Sequence, residues 1–222
     1  MSYKSSSTSN PISPWHSIPM KSPGSPPDVF NMVLEIPRMT KAKMEISTTL
    51  PNNPIVQDKK KGKLRDYHGP IFWNYGAIPQ TWEDPSVSHE ELKVFGDNDP
   101  VDVVDISEIG DGEIGDVVQV KVLGCIAMID DGELDWKVIA VNTADEKYKD
   151  VTDIDGVSNE VKQGIREWFR WYKTPDGKPL NSFGFDEKFL DKKYTMEVLE
   201  ETNQYWKNIM EGKTDKGKIW TE

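Results

Sequence analysis

The hydrophobic period changes once along this chain, and that change limits the folds open to it. From Val29 to Val141 the apolar residues follow strand patterns. "VFNMVLEI" and "AKMEI" alternate, with Ala42, Met44 and Ile46 on one face and Lys43 and Glu45 on the other. "VVQVKVLGCIAMI" and "DWKVIAVN" flank the turn signal "DDGE", which predicts a hairpin. Two helices follow. Val161, Ile165, Trp168, Phe169 and Tyr172 form one helical stripe that ends at Lys173 and Thr174-Pro175. Val198, Thr202, Tyr205 and Ile209 mark a second, within about residues 188–210. Strands first and helices last predict an α+β domain on an antiparallel barrel or curled sheet. Residues 1–28, rich in Ser and Pro, read as an arm that docks in part through Trp15. The body is expected at 29–212, and the polar tail at 213–222 is expected to fray.

Charge and motifs exclude several classes of function. A formal net charge of −11 repels nucleic acid and anionic membranes, so neither is expected as a partner. No apolar run approaches a membrane span and no signal pattern opens the chain, which makes a cytoplasmic location the expectation. The single cysteine, Cys125, lies in an apolar strand and reads as a buried, inert thiol. Phosphate-binding glycine loops, a nucleophile elbow and paired zinc ligands are all missing. His16, His68 and His89 are scattered and read as packing or surface residues.

Carboxylates remain. "GDNDPVDVVDI" places Asp97, Asp99, Asp102 and Asp105 within nine positions. Two such charges 4 Å apart repel by about 4 kcal/mol at an effective dielectric of 20, so convergence requires a cation among them. Strand parity opposes Asp102 to Asp97 and Asp99, and a bend at Pro100 would bring the three together. The stretch fails as an EF-hand loop, since Val101 and Asp102 stand where a ligand and a glycine are needed. It reads either as an oxygen site for a hard cation or as an acidic turn. Asp130 and Asp135, with Lys137, flank the hairpin turn, where, taken alone, plain turn chemistry is the stronger reading. Glu35, Lys43 and Glu45 resemble any exposed strand face. The run Lys59 to Arg65 is a basic island, able to meet phosphate or simply to be solvated. Tyr75, Tyr172 and Lys173 sit in aromatic stretches, where packing accounts for each ring taken singly.

Taken together, "PWHSIP", "VFNMVLEIPR", "NPIVQDKKKGKLR", "NYGAIPQTWEDP", "GDNDPVDV", "GELDWKVIA" and "WFRWYKTPDGKP" resemble the soluble family I inorganic pyrophosphatases of the eukaryotic type, from about residue 14 to 210. The resemblance implies a five-stranded, OB-like β-barrel flanked by two C-terminal helices. It implies Mg²⁺-dependent hydrolysis of pyrophosphate to two phosphates by a metal-activated water. Mn²⁺ or another divalent ion would substitute, and Ca²⁺ would inhibit. Asp97, Asp102 and Asp135 would bind activating metals, with Asp102 bridging two. Asp130 and Glu45 would hold further ions, and Asp99 would be the general base. Lys43, Arg65, Tyr75, Lys137, Tyr172 and Lys173 would hold the phosphates of substrate and product, with Glu35 behind the acidic cluster.

The chain also departs from the family pattern. "MSYKSSSTSN" replaces a fuller N-terminal stretch and does not read as strand. "DYHGPIFWN" shortens the loop after Arg65 and puts Pro70 where a second active-site tyrosine is usual. Met39 replaces an aromatic near the expected homodimer contact. These departures motivate an alternative, a catalytically impaired isoform that keeps the fold and serves as a binding or regulatory protein.

Overall fold

A computed structural model of the chain describes residues 3–4, 11–109 and 112–222. The DDGE signal closes its longest hairpin: Asp131 and Gly132 both take positive φ, +50° and +94°, which matches the twist of paired strands. Seven strands define the body. These are β1 (Val29–Ile36), β2 (Met44–Ile46), β3 (Ile55–Gln57), β4 (Asn74–Ala77), β5 (Asp102–Asp105), β6 (Val117–Asp130) and β7 (Glu133–Asn142). Two helices follow, α1 (Asn159–Trp171) and α2 (Lys192–Met210). Neither is long and apolar enough to cross a membrane.

Five strands close into a ring. β6 pairs with β7 and β1, β1 with β4, and β4 with β5, all antiparallel; β5 then closes against β7 in parallel, Asp102 beside Lys137. An all-antiparallel barrel is the one part of the expected architecture that does not hold. The reason is parity: in a ring with an odd number of strands, direction cannot alternate all the way round, so at least one seam must be parallel. The OB-like barrel of an α+β fold is otherwise as expected.

Both faces of the ring are covered, which explains why its strands read as nearly continuous apolar runs. Phe30, Met32, Leu34, Val103 and Val138 pack with Val198 and Leu199 of α2. Val104, Leu123, Ile126 and Ile139 pack with Ile165 and Phe169 of α1. Each of these large side chains contributes about 1.5–3 kcal/mol by leaving water. The caps follow the sequence: Ser158 accepts the Val161 N–H, and Asp191 accepts the Tyr194 N–H at 2.8 Å.

The two ends of the chain meet. Trp15 is buried, donates Nε1–H to the Thr81 carbonyl at 2.7 Å, and shares a core with Ile46, Ile209 and Ile219. The tail expected to fray therefore packs back, because Ile219 anchors it in that core and the Trp220 N–H donates to the Thr48 carbonyl at 2.8 Å. His16 ties the ends together, facing the Trp220 carbonyl through Nε2 and accepting the Trp206 indole N–H at Nδ1, each at 2.8 Å. Burial lowers its pKa to about 4, so it stays neutral. Tyr3–Lys4, in a stretch that does not read as strand, pairs antiparallel with Pro11–Ile12.

Candidate active site

One rim of the barrel gathers side chains from separate elements into a cavity of about 220 Å³. Glu35 comes from β1, Glu45 from β2, Tyr75 from β4, Asp102 from β5, Asp130 from the end of β6, and Asp135 and Lys137 from β7. Lys43 precedes β2, and Tyr172 and Lys173 follow α1 directly. Asp97 and Asp99 lie on the loop before β5, and Arg65 follows a short Lys59–Lys60/Lys63–Leu64 hairpin. All thirteen residues singled out in the sequence line this cavity.

Local geometry differs from the sequence reading in two places. The parity conflict among the aspartates is resolved mainly at Asn98, whose φ of +74° reverses the chain before Pro100. Asp99 N–H donates to Asp97 Oδ1 at 3.0 Å across that turn. The face bearing Glu35, Lys43 and Glu45 is not a solvent face. Glu35 is 3% exposed and accepts the Ile46 N–H at 2.6 Å.

Acids and bases alternate around the cavity. Lys137, 2% exposed, donates to both Asp102 and Asp135, and to the Tyr75 hydroxyl at 2.9 Å. The Tyr75 hydroxyl in turn donates to Asp102. Lys173 donates to Asp130, which also accepts from the Tyr172 hydroxyl at 3.2 Å. Lys43 pairs with Glu45, and Arg65 with Asp58. The shortened loop does not dislodge Arg65. Its carbonyl accepts the Lys43 N–H at 3.1 Å and its own N–H donates to the Asp58 carbonyl at 2.8 Å.

Crowding raises the proton affinity of the acids. Burial, then the charges of Glu45 and Asp102, push Asp99 up to about 7. Burial and the Asp102 charge push Asp135 up to about 7 against the pull of Lys137. Asp97 is raised by burial and Asp135, and Glu35 by burial and Asp102. Burial opposes the charge of Lys137, but Asp102 and Asp135 outweigh it and hold the ammonium protonated.

A divalent cation fits this donor set. Glu83, Asp97 and Asp135 each offer a carboxylate oxygen within 4.8 Å of the others. Asp130 Oδ1 is buried and accepts no hydrogen bond. All the donors are carboxylates, which favour hard ions over soft ones. A cation at this rim would relieve the repulsion that raises these acids.

Two residues, Asp58 and Glu83, escaped the sequence reading, and Tyr67, in the shortened loop, is given no role there. Asp58 anchors Arg65 and lies 3.5 Å from Lys43. Tyr67 lines the cavity, its ring edge-on to Trp168 at 5.0 Å and to Tyr172 at 5.7 Å. Glu83, in "QTWEDP", lies behind Asp97. Only its place between an apolar strand and the aspartate loop could have marked it out, since no periodicity does.

A β-barrel whose rim mixes hard-cation ligands with phosphate-sized basic groups defines a class: enzymes that handle condensed phosphates through bound divalent ions. The inorganic pyrophosphatase family matches residues 32–207. The Kluyveromyces lactis inorganic pyrophosphatase is 50% identical over 213 residues, covering 92% of this chain and 73% of that protein. The chloroplastic soluble inorganic pyrophosphatase 6 of Arabidopsis thaliana is 47% identical over 94% of this chain and 69% of its own length. Among solved structures, the type I inorganic pyrophosphatase of Toxoplasma gondii superposes with a TM-score of 0.85 at 43% identity, covering 90% of both chains. A truncated vacuolar soluble pyrophosphatase of Trypanosoma cruzi, solved with PPi, gives 0.85 at 42% identity over 91% of this chain and 81% of that one. The chain belongs to the inorganic pyrophosphatase family.

Proposed function

We propose that this chain hydrolyses inorganic pyrophosphate to two phosphates with Mg²⁺ as its metal. The observation that carries the reading is the convergence of seven carboxylates and six phosphate-compatible donors on one cavity. Asp97, Asp102 and Asp135 would hold the activating ions, with Asp102 shared, and Asp130 and Glu45 the ions that accompany substrate. Such ions would neutralise part of the substrate charge and lower the pKa of water toward neutrality.

The chain's own groups supply the rest. Asp99, on the loop at the cavity rim, is suited to take a proton from the attacking water, and the cations beside it would keep it ionised for that role. The water oxygen bonds to one phosphorus, the bridging P–O bond breaks, and the electron pair leaves with the second phosphate. Lys137, held protonated by Asp102 and Asp135, and the Lys173, Lys43 and Arg65 cations stabilise the charge that builds on phosphate oxygens. Tyr75 and Tyr172 orient those oxygens through their hydroxyls. Glu35, buried behind Asp102, would fix the position of the acidic cluster. No side-chain nucleophile is required, in keeping with an inert, buried Cys125.

One catalytic body at 29–212, with the arm 1–28 and the tail 213–222 as appendages, serves this reading. Met39 is 62% exposed and its N–H donates to the carbonyl of Ile71, next in sequence to the exposed Phe72; this apolar surface is suited to a homodimer contact, which light scattering on the purified chain would test. A cytoplasmic location belongs to the same proposal, and imaging of the tagged chain would test it. The impaired-isoform reading is not favoured, because Arg65 lines the cavity together with the acidic cluster.

Phosphate release from pyrophosphate tests the activity directly. Release with Mg²⁺, none with EDTA and suppression by Ca²⁺ are expected. No release from folded, Mg²⁺-loaded protein would overturn the reading.

A further inference from the structure

Glu83 is absent from the set of ligands to which the sequence points, yet the fold aims it at the same centre. It is 3% exposed and lies on the chain leading out of β4, behind the aspartate loop. Two backbone hydrogen bonds of 2.9 Å clamp it to that loop: its N–H donates to the Asp99 carbonyl, and its carbonyl accepts the Asn98 N–H. The neighbouring strand lies so close that a Cβ at Gly96 would stand 2.5 Å from the Glu83 carbonyl carbon. The side chain is fixed as well, since Oε1 accepts the Trp136 N–H at 2.8 Å.

That leaves Oε2, which is buried and accepts no hydrogen bond. Its carboxylate shares a 4.8 Å neighbourhood with oxygens of Asp97 and Asp135. A purely structural residue here would need only Oε1. An amide would fill the role better than an acid, accepting from Trp136 and donating to one of the two aspartates. A third carboxylate at this point repels its neighbours unless a cation or a shared proton lies between them.

We propose that Glu83 is a further carboxylate ligand of the metal centre, offering Oε2 to the ion that Asp97 and Asp135 hold. The inference rests on the metal-centre reading above and adds a ligand to it. Glu83 thereby links metal occupancy to the position of the loop bearing Asp99, because its backbone and its side chain serve both.

Titration of Mn²⁺ into the full, metal-stripped chain, read by the EPR signal of free Mn²⁺, tests this with wild type, Glu83→Gln and Asp135→Asn. Glu83→Gln is expected to weaken Mn²⁺ binding about tenfold or more. The metal-free variant should melt no lower than wild type, because the amide retains the Trp136 bond and relieves repulsion. Weakened binding in Asp135→Asn with wild-type affinity in Glu83→Gln would overturn the assignment of Glu83 alone. Wild-type affinity in both would overturn the metal-centre reading, and this inference with it. Should Glu83→Gln fail to fold, Glu83→Asp keeps the charge but withdraws the carboxylate by one methylene. Weakened Mn²⁺ binding in that variant supports the ligand role, and wild-type affinity overturns it.

Discussion

Protons and Mg²⁺ should compete for this cavity, with a magnitude that follows from the two acids raised to about 7, Asp99 and Asp135. At pH 6 each would be about 90% protonated without metal, and at pH 8 about 10%. A cation beside them favours the ionised forms, so binding must expel those protons. These two acids should together release nearly two protons per site filled at pH 6 and about 0.2 at pH 8. Each acid then weakens apparent affinity about tenfold between pH 8 and pH 6. The pair weakens it by about two decades, or roughly 2.7 kcal/mol. Isothermal titration of the metal-stripped chain with Mg²⁺, repeated in buffers of different ionisation enthalpy, measures both affinity and proton release. Equal affinity at pH 6 and 8 without proton release would refute the reasoning. It would mean that Lys43 and Lys137 already hold Asp99 and Asp135 ionised.

Asp99→Asn should lower kcat by about 10²- to 10⁴-fold even at saturating Mg²⁺, because an amide cannot take the proton. Turnover close to wild type in steady-state assays would remove Asp99 from the proton-transfer step. Tyr67→Phe should raise KM for pyrophosphate about tenfold with little loss of stability, since the ring contacts with Trp168 and Tyr172 remain. An unchanged KM would confine Tyr67 to packing. His16 should titrate near pH 4 by NMR in the folded chain, against about 6.5 when unfolded. The unfolded state takes up that proton first, so the term appears as pH falls through 6.5 and is complete near 4, costing about 3 kcal/mol. A folded-state midpoint near 6.5 would show that the bonds to Trp206 and Trp220 do not bury it.

The hairpin turn, the α1 stripe and the carboxylates were legible because each is a local signal: a φ requirement, a 3.6-residue period, a cluster of like charge. The parallel seam was not local. No window of sequence near β5 or β7 records their relative direction, which depends on the count of strands round the ring. The ends of the chain show the same limit from the other side. "KGKIWTE" is polar on average, yet Ile219 in the core and the backbone bonds of Trp220 fold it back toward Trp15 and His16. A composition window averages over the few residues that decide.

The site itself exposes a deeper ambiguity in period-2 patterns. Alternation assigns polar residues to one face, but it cannot tell water from a charged cavity, since both demand polar side chains. Glu35 and Lys43 read as solvent-facing for that reason, although Glu35 is buried in the acidic cluster. What separates the two cases is charge balance and neighbouring shape. A solvent face leaves its charges screened and its aromatics elsewhere. Here Tyr67, Tyr75 and Tyr172 close over the acids, so low-dielectric walls strengthen every repulsion and every ion pair. Under those walls the carboxylates hold together only by sharing lysines, protons or cations. Which of the three prevails depends on pH and on metal.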